Sequence, residues 1–167
     1  MINLDYAKKQ FDAFLDEFDR EDDKIKLKIV HTNAVVDAAR EIVGRMKLSE
    51  EQRLLAELIA LLHDIGRFEQ LRQFDSFEPT TMDHASYGVE LLFGEKQMIR
   101  RFIREDNWDT VIRYAIARHS DYQVEKTGAP EMDLQASLIR DADKLDNCRV
   151  KLEESIEVLL GKDAEID

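Results

Sequence analysis

Apolar positions recur at intervals of three and four residues along most of the chain, and this periodicity predicts helices. The first predicted helix runs from about Leu4 to Phe18, with Asn3 as its N-cap. The second runs from about Asp22 to Met46 and has an acidic first turn, which suits the positive end of the helix dipole. In this second helix His31 shares an inward face with Leu27, Val35, Ala38 and Ile42.

A third helix begins after Ser49, which with Gln52 forms a predicted capping box. Its residues are apolar around nearly the whole circumference, so we expect a central, buried helix. Its last turn delivers His63 and Asp64 together, and Gly66 is expected to end it in the left-handed conformation. Neighbouring side chains point about 100° apart on a helix, so both can reach one centre only near a helix end or with a metal lying between their directions.

The segment Arg67 to Thr81 breaks the apolar pattern and predicts an ordered loop or short helix that borders a site as a substrate-facing wall. Its aromatic residues are interpreted as loop anchors, with a base-stacking platform as the alternative; they are Phe68, Phe74 and Phe77.

A fourth helix is predicted from about Met82 to Phe93, with His84 facing inward and Gly88 permitting close approach of a neighbouring helix or ligand.

The last two predicted helices carry the fourth histidine, His119, and a second aspartate, Asp143. After a polar segment at 94–106, Asn107 is expected to cap a helix that ends at His119. A second loop covers 120–130, and a long helix follows from Glu131 to about Leu160. Asp143 lies on the apolar stripe of this helix, where an unpaired carboxylate is costly.

Composition supports one helical domain. The chain has 167 residues, and only six Gly and two Pro interrupt its helices. We therefore predict an all-α fold, a single-domain helical bundle of about six to seven helices that covers 1–167, with a motif-bearing core at about 22–150.

The formal net charge of −12 argues against a nucleic-acid polymer as partner, because a phosphate backbone requires a basic surface. A small phosphate ester stays possible, since bound divalent cations can reverse the local field. The lone Cys148 cannot form an internal disulfide, and no apolar run approaches the roughly 20 residues that span a bilayer. These features predict a cytoplasmic location without a membrane partner; the oligomeric state stays open.

All four histidines and two aspartates form one ordered series, namely His31, His63, Asp64, His84, His119 and Asp143. Any one such histidine alone would more often be a hydrogen-bonded core residue. Together they offer imidazole and carboxylate donors without a thiolate, a set that suits Fe, Mn, Zn, Co or Ni.

We predict two divalent ions. One would be held by His31, His63, Asp64 and Asp143, and the other by His84, His119 and a bridging Asp64. In the alternative, His84 and His119 bind substrate or transfer protons beside a single ion.

Two local motifs resemble the HD superfamily of metal-dependent phosphohydrolases. The first is Leu61-Leu62-His63-Asp64-Ile65-Gly66-Arg67, and the second is Arg140-Asp141-Ala142-Asp143-Lys144-Leu145-Asp146. The resemblance spans about His31 to Asp146, and the additional His84 and His119 resemble the subset with two metal ions.

This resemblance implies an all-α bundle, metal ligands at the six positions and hydrolysis of phosphomonoesters or phosphodiesters, frequently of nucleotides. No Gly-Tyr-Pro follows the second histidine region, so the chain departs from the HD-GYP branch.

Three residues are predicted to act in catalysis. Asp64 would orient the metal-activated water as well as bridge, while Arg67 and Lys144 would stabilise charge on the phosphoryl group. Alternatively, Arg67 pairs with Glu69 or Asp75, and Lys144 pairs with Asp141; weaker cationic candidates are Arg118 and Arg140.

The sequence therefore predicts a phosphohydrolase that acts on a small, nucleotide-like substrate through metal-activated water. The alternative is a regulatory HD module that binds metal or a nucleotide without turnover. Oxygen-dependent chemistry at a di-iron centre exists in the broader fold by resemblance, but nothing in the sequence favours it.

Overall fold

A computed structural model describes residues 1–153, which form seven α-helices and one short 3-10 helix and contain no strand. The α-helices are α1 Leu4–Leu15, α2 Asp23–Gly44, α3 Glu50–Leu62, α4 Ile65–Phe74, α5 His84–Phe93, α6 Asp109–Arg118 and α7 Pro130–Glu153. The 3-10 helix Met98–Arg101 lies between α5 and α6. The predicted all-α bundle is confirmed, while the predicted extension of the last helix towards Leu160 lies outside the described residues.

Side-chain caps fix the starts of the first three helices. Asn3 accepts a hydrogen bond from the backbone N–H of Tyr6, and Asp22 accepts from the first turn of α2. The capping box of α3 is complete, because the Ser49 hydroxyl accepts from the Gln52 N–H and the Gln52 side chain accepts from the Ser49 N–H. These caps satisfy backbone donors that have no partner within the helix. The predicted caps at Asn3 and Ser49 are confirmed, whereas Asp22 was predicted only as the approximate start of the second helix.

Helix α3 lies at the centre of the bundle. It packs against α1, α2, α6 and α7, and α2 and α6 pack in turn against α7. An unbroken run at its C-terminal end is buried, from Leu55 to Leu62. This burial agrees with the apolar circumference predicted from the sequence. As a result, the residues that follow Leu62 lie in the interior of the protein.

Helix α4 is attached to α1 through aromatic packing. The fully buried Phe68 ring meets those of Phe11 and Phe14 edge to face and lies against Phe18. Phe68 is therefore a core residue and forms no substrate-facing wall. Of the other two aromatic residues of this segment, Phe74 is exposed, whereas Phe77 is partly buried against the core.

The connection between α5 and α6 differs from its prediction. Residues at three- and four-residue spacing bury their side chains there, so the segment is not merely polar; they are Ile99, Phe102 and Ile103. Asn107 does not cap α6, which begins at Asp109 after Trp108 and has no side-chain cap. The Trp108 indole N–H donates to Glu51, and this contact anchors the start of α6 on α3.

None of the helices within residues 1–153 is long and apolar enough to cross a membrane.

Candidate metal centre

His63 and Asp64 occupy a two-residue break between α3 and α4. His63 keeps helical dihedral angles, whereas Asp64 has φ −108° and ψ 19°, close to the sparsely populated bridge region. Helix resumes at Ile65, so the prediction that Gly66 ends α3 in a left-handed conformation is wrong. Because the helix is interrupted between them, the adjacent His63 and Asp64 side chains can both reach one centre.

Gly66 instead permits a close crossing of α4 and α5. A Cβ atom on Gly66 would lie 2.9 Å from the backbone nitrogen of Gly88 and still closer to the carbonyl oxygen of His84. Helix α5 can approach α4 only because this Cβ is absent. The crossing brings His84, the first residue of α5, beside Asp64.

Four side chains converge to form the first ligand group. The Nε2 atom of His31 lies 3.0 Å from Oδ1 of Asp143 and 3.4 Å from Oδ2 of Asp64. The Nε2 atom of His63 lies 3.3 Å and 3.5 Å from the same two oxygens. These residues come from α2, the α3–α4 break and α7, so the group links distant parts of the chain.

Asp64 also belongs to a second ligand group through its other carboxylate oxygen. Its Oδ1 atom lies 3.4 Å from Nε2 of His84 and 3.2 Å from Nε2 of His119. His119 directly follows α6 and is buried, and its Nε2 atom is 3.2 Å from that of His84. The structure thus gathers the six residues in the two sets predicted from the sequence, with Asp64 shared.

The separations between donor atoms fit coordination of a transition metal. With metal–ligand bonds of about 2.1 Å, neighbouring donors lie about 3.0 Å apart at octahedral angles and about 3.4 Å apart at tetrahedral angles. The nitrogen–oxygen and nitrogen–nitrogen separations given above for both groups, together with 3.3 Å between the Nε2 atoms of His31 and His63, run from 3.0 to 3.5 Å. Each group therefore has the dimensions and the donor types to hold a divalent ion.

Hydrogen bonds at the Nδ1 atoms orient three of the histidine rings. His63 donates from Nδ1 to the carbonyl of Ala60 at 2.6 Å, and His119 donates likewise to Ile116 at 2.7 Å. Nδ1 of His31 lies 2.6 Å from a carboxylate oxygen of Asp146. With the proton on Nδ1, the Nε2 lone pair of each neutral ring points into the cluster, as a metal ligand requires.

The electrostatics of the cluster favour ionised carboxylates. Burial disfavours the charge of Asp64, but Lys28 and His63 outweigh it and hold the pKa of this carboxyl well below its usual range. Burial also disfavours a charged His31, yet the hydrogen bonds to Asp143 and Asp64 raise its pKa to about 9. For His84 burial prevails and lowers the pKa. The ionised carboxylates therefore attract cations, and a metal ion bound to His31 would replace the proton that this ring otherwise holds at neutral pH.

Two cationic side chains lie at the edge of the cluster. The Lys28 ammonium is 2.9 Å from Oδ2 of Asp64. Arg67 donates from Nη1 to Gln70 and to the carbonyl of Phe77, while its buried Nε has no hydrogen-bond partner among residues 1–153. Glu69 pairs with Arg72 and Asp75 with Lys24, so the alternative pairing predicted for Arg67 does not form.

Lys144 lies apart from these cations. Its side chain is exposed, and its ammonium lies 5.9 Å from the centroid of the Tyr122 ring. Within residues 1–153 it forms no ion pair with Asp64, Asp143 or Asp141. The structure thus brings Arg67 near the cluster, whereas Lys144 forms no ion pair with a cluster residue among those described.

The two weaker cationic candidates hold the loop that follows α6. Arg140 donates to the backbone carbonyls of Asp121 and Tyr122, and Arg118 pairs with the side chain of Asp121. These contacts are structural, because they satisfy polar groups of the loop and leave both guanidinium groups occupied.

The sequence interpretation missed two residues that contact the ligands, Lys28 and Asp146. Lys28 lies three residues before His31, and Asp146 lies three residues after Asp143, so both share a helix face with a proposed ligand. Helical spacing was thus an available signal. It does not single out these positions, because many charged residues have the same spacing from a histidine or an aspartate.

Comparison with known proteins gives one match. A family model described as HD domain matches residues 29–148, which is more than half of the chain and contains all six cluster residues. No curated protein and no solved structure matches the chain. The family match, together with the buried His and Asp cluster in an all-helical fold, shows that the chain belongs to the HD domain family.

Proposed function

We propose that this protein is a metal-dependent phosphohydrolase that cleaves a phosphomonoester or phosphodiester bond in a small, nucleotide-like substrate. The observation that carries the proposal is the shared Asp64, whose two oxygens face two separate ligand groups. Two adjacent divalent ions supply a clamp for a phosphoryl group and lower the pKa of a water molecule.

The protein's own side chains would contribute in two further ways. Asp64 and the Nδ1-bonded histidines hold the donor atoms in position, so that little reorganisation is needed during the reaction. Arg67 places a guanidinium at the edge of the cluster, where it can stabilise charge on the phosphoryl oxygens. The oxygen of water bonds to phosphorus, the ester P–O bond breaks, and the proton passes to the leaving oxygen.

The first experiment determines metal content and activity together. Protein purified without chelators is analysed for metals and then assayed with Mn²⁺ or Fe²⁺ against nucleotides and simple phosphate esters. We expect bound transition metal and release of phosphate, or of a phosphomonoester from a diester. Stoichiometric metal without hydrolysis of any substrate would instead favour a regulatory HD module that binds without turnover.

A pair of aspartates two positions apart on α7 provides a matched control. Asp143 is buried in the first ligand group, whereas Asp141 is exposed on the same helix. Asp143→Asn should lose both metal and activity, as should His63→Ala and Asp64→Asn, while Asp141→Asn should retain both. Full activity in His63→Ala or Asp64→Asn would contradict the proposal.

A further inference from the structure

We propose that Lys28 binds the phosphate group of the substrate, and that this group is the dianion of a phosphomonoester. The inference rests on the proposed function and deepens it by selecting the monoester over the diester. Lys28 would exchange its present partner, Asp64, for the substrate when cations occupy the cluster.

Lys28 is unusually enclosed for a lysine. Its side chain is 12% exposed, and its ammonium is 2.9 Å from Oδ2 of Asp64 and 5.4 Å from the centroid of the Phe77 ring. Lysines seldom bury their ammonium groups unless these are paired. Of the neighbouring lysines of α2, Lys24 is similarly enclosed but pairs with the exposed Asp75, and the exposed Lys26 pairs with Glu21. Among these three lysines, Lys28 is the one that pairs with a residue of the cluster.

The partner of Lys28 is a donor atom of the first ligand group. Oδ2 of Asp64 also faces the Nε2 atoms of His31 and His63, at 3.4 and 3.5 Å. A divalent ion among these atoms would place a like charge within a few ångströms of the ammonium, and at this burial the repulsion is weakly screened. Lys28 then requires another anion.

The substrate is the anion that can meet Lys28 at this edge. Of the cluster residues, His84 and Asp143 have the most exposed side chains, at 11% and 10%, so the cluster is not sealed from solvent, and the side chain of Lys28 is exposed to 12%. The ammonium and the Arg67 guanidinium both lie within 6 Å of the centroid of the Phe77 ring. Arg67 is fixed by Gln70 and the Phe77 carbonyl, whereas the flexible Lys28 stem can redirect its charge.

The balance of charge favours a dianion. Two divalent ions carry more positive charge than the carboxylates of Asp64 and Asp143 neutralise, and Lys28 and Arg67 add to the excess. The charge of Asp146 is offset by its ion pair with Arg149. A phosphomonoester is close to a dianion at neutral pH, because its second ionisation lies near pH 6, whereas a diester carries only one negative charge. The monoester compensates the buried positive charge more fully.

The test compares Lys28→Met with Lys28→Arg, and uses Lys26→Met as the control. Methionine retains an unbranched apolar stem against Phe77 without the charge, and arginine retains the charge. Binding of inorganic phosphate to the Mn²⁺-loaded protein is measured by calorimetry, and Mn²⁺ affinity is measured without phosphate. Michaelis constants for a phosphomonoester and a phosphodiester are determined in parallel.

We expect Lys28→Met to bind phosphate at least about tenfold more weakly, because a charge-assisted hydrogen bond is lost. It should bind Mn²⁺ more tightly, because a competing cation is gone. The KM for the monoester should rise more than that for the diester, Lys28→Arg should restore much of the phosphate binding, and Lys26→Met should match the wild type. Unchanged phosphate affinity in Lys28→Met, or equal losses for both ester classes, would overturn the inference.

The outcomes separate this inference from the proposed function. If the wild type hydrolyses esters while Lys28→Met binds phosphate normally, only the inference fails. If the wild type hydrolyses nothing but binds phosphate through Lys28, the proposed catalysis fails and the role of Lys28 in binding the dianion stands.

Discussion

At Gly66 the missing side chain sets the distance between two helices and, through it, the position of a metal ligand. The backbone of α5 passes so close that a Cβ atom would meet the carbonyl of His84 and the nitrogen of Gly88. Backbone atoms cannot rotate out of the way as the end of a side chain can. The position of His84 beside Asp64 therefore requires a residue without a side chain at position 66.

Gly66→Ala should destabilise the protein by about 1–3 kcal/mol, because overpacking forces α4 and α5 apart. The shift should also weaken binding at the ligand group that contains His84. Urea unfolding and metal titration measure the two effects. Gly44→Ala is the control, since nothing lies within 4 Å of its Cβ position, and it should change stability by no more than about 1 kcal/mol. Equal behaviour of the two variants would contradict this account of Gly66.

Asp146 orients the His31 ring through its Nδ1 atom, whereas the Nε2 atom of the ring faces the cluster. Its carboxylate accepts from Nδ1 of His31 and is itself held by Arg149. Asp146→Asn should lower metal affinity about 10- to 100-fold, because the ring loses the partner that fixes its orientation and tautomer. The measurement is competition with a chelator of known affinity. Asp37→Asn, an exposed change on α2, is the control and should bind metal normally; wild-type affinity in Asp146→Asn would show that His31 needs no such support.

At the scale of helices, α3 begins at a complete capping box and ends at a break in the helical backbone. The capping box at Ser49 and the buried Leu55 to Leu62 run make this helix stable on local and tertiary grounds. At its C-terminal end the chain breaks for His63 and Asp64 before α4 begins. The helix thus provides a rigid base for residues that need an irregular backbone.

Ser49→Ala should cost about 1 kcal/mol of unfolding free energy, because the backbone N–H of Gln52 loses its acceptor. Metal affinity should stay unchanged, since the cap lies at the opposite end of α3 from the cluster. Thermal unfolding and metal titration measure these quantities. The exposed Ser137 within α7 supplies the control, Ser137→Ala, which should not be destabilised. A loss of metal affinity in Ser49→Ala would show that the two ends of α3 are coupled.

At the scale of the whole molecule, the cluster ties together five parts of the chain. Its ligands come from α2, the break before α4, the start of α5, the end of α6 and α7. Bound ions would therefore connect all these elements, and a ligand that binds only the folded state stabilises it by mass action.

Removal of metal should lower the melting temperature. A site that is saturated a hundredfold above its dissociation constant contributes about 2.7 kcal/mol, which corresponds to several degrees for a domain of this size. Scanning calorimetry with and without a chelator measures the shift. Asp64→Asn, which alters the ligand shared by both groups, should show little change on chelation, and an unshifted wild type would mean that metal does not stabilise the fold.

Much of the fold follows from local signals in the sequence. The caps at Asn3 and Ser49 and the apolar periodicity were sufficient to predict most of the helices, because these signals act within a few residues, whereas the segment that forms α4 was predicted only as an ordered loop or short helix. The start of α6 was predicted wrongly. At this start the indole N–H of Trp108 donates to Glu51 of α3, and no side chain caps the helix. The residues next to Trp108 in the sequence do not predict a contact with another helix.

The sequence by itself determined the residue types of the cluster, since four histidines and two aspartates at inward or terminal helix positions offer imidazole and carboxylate donors that suit a transition metal. Only the tertiary structure decided how they meet. The α4–α5 crossing at Gly66 and the direction of Lys28 depend on contacts between residues 18 to 36 positions apart. Periodicity reports which face of a helix is buried, but the distance and orientation between two helices are set by packing that no single helix encodes.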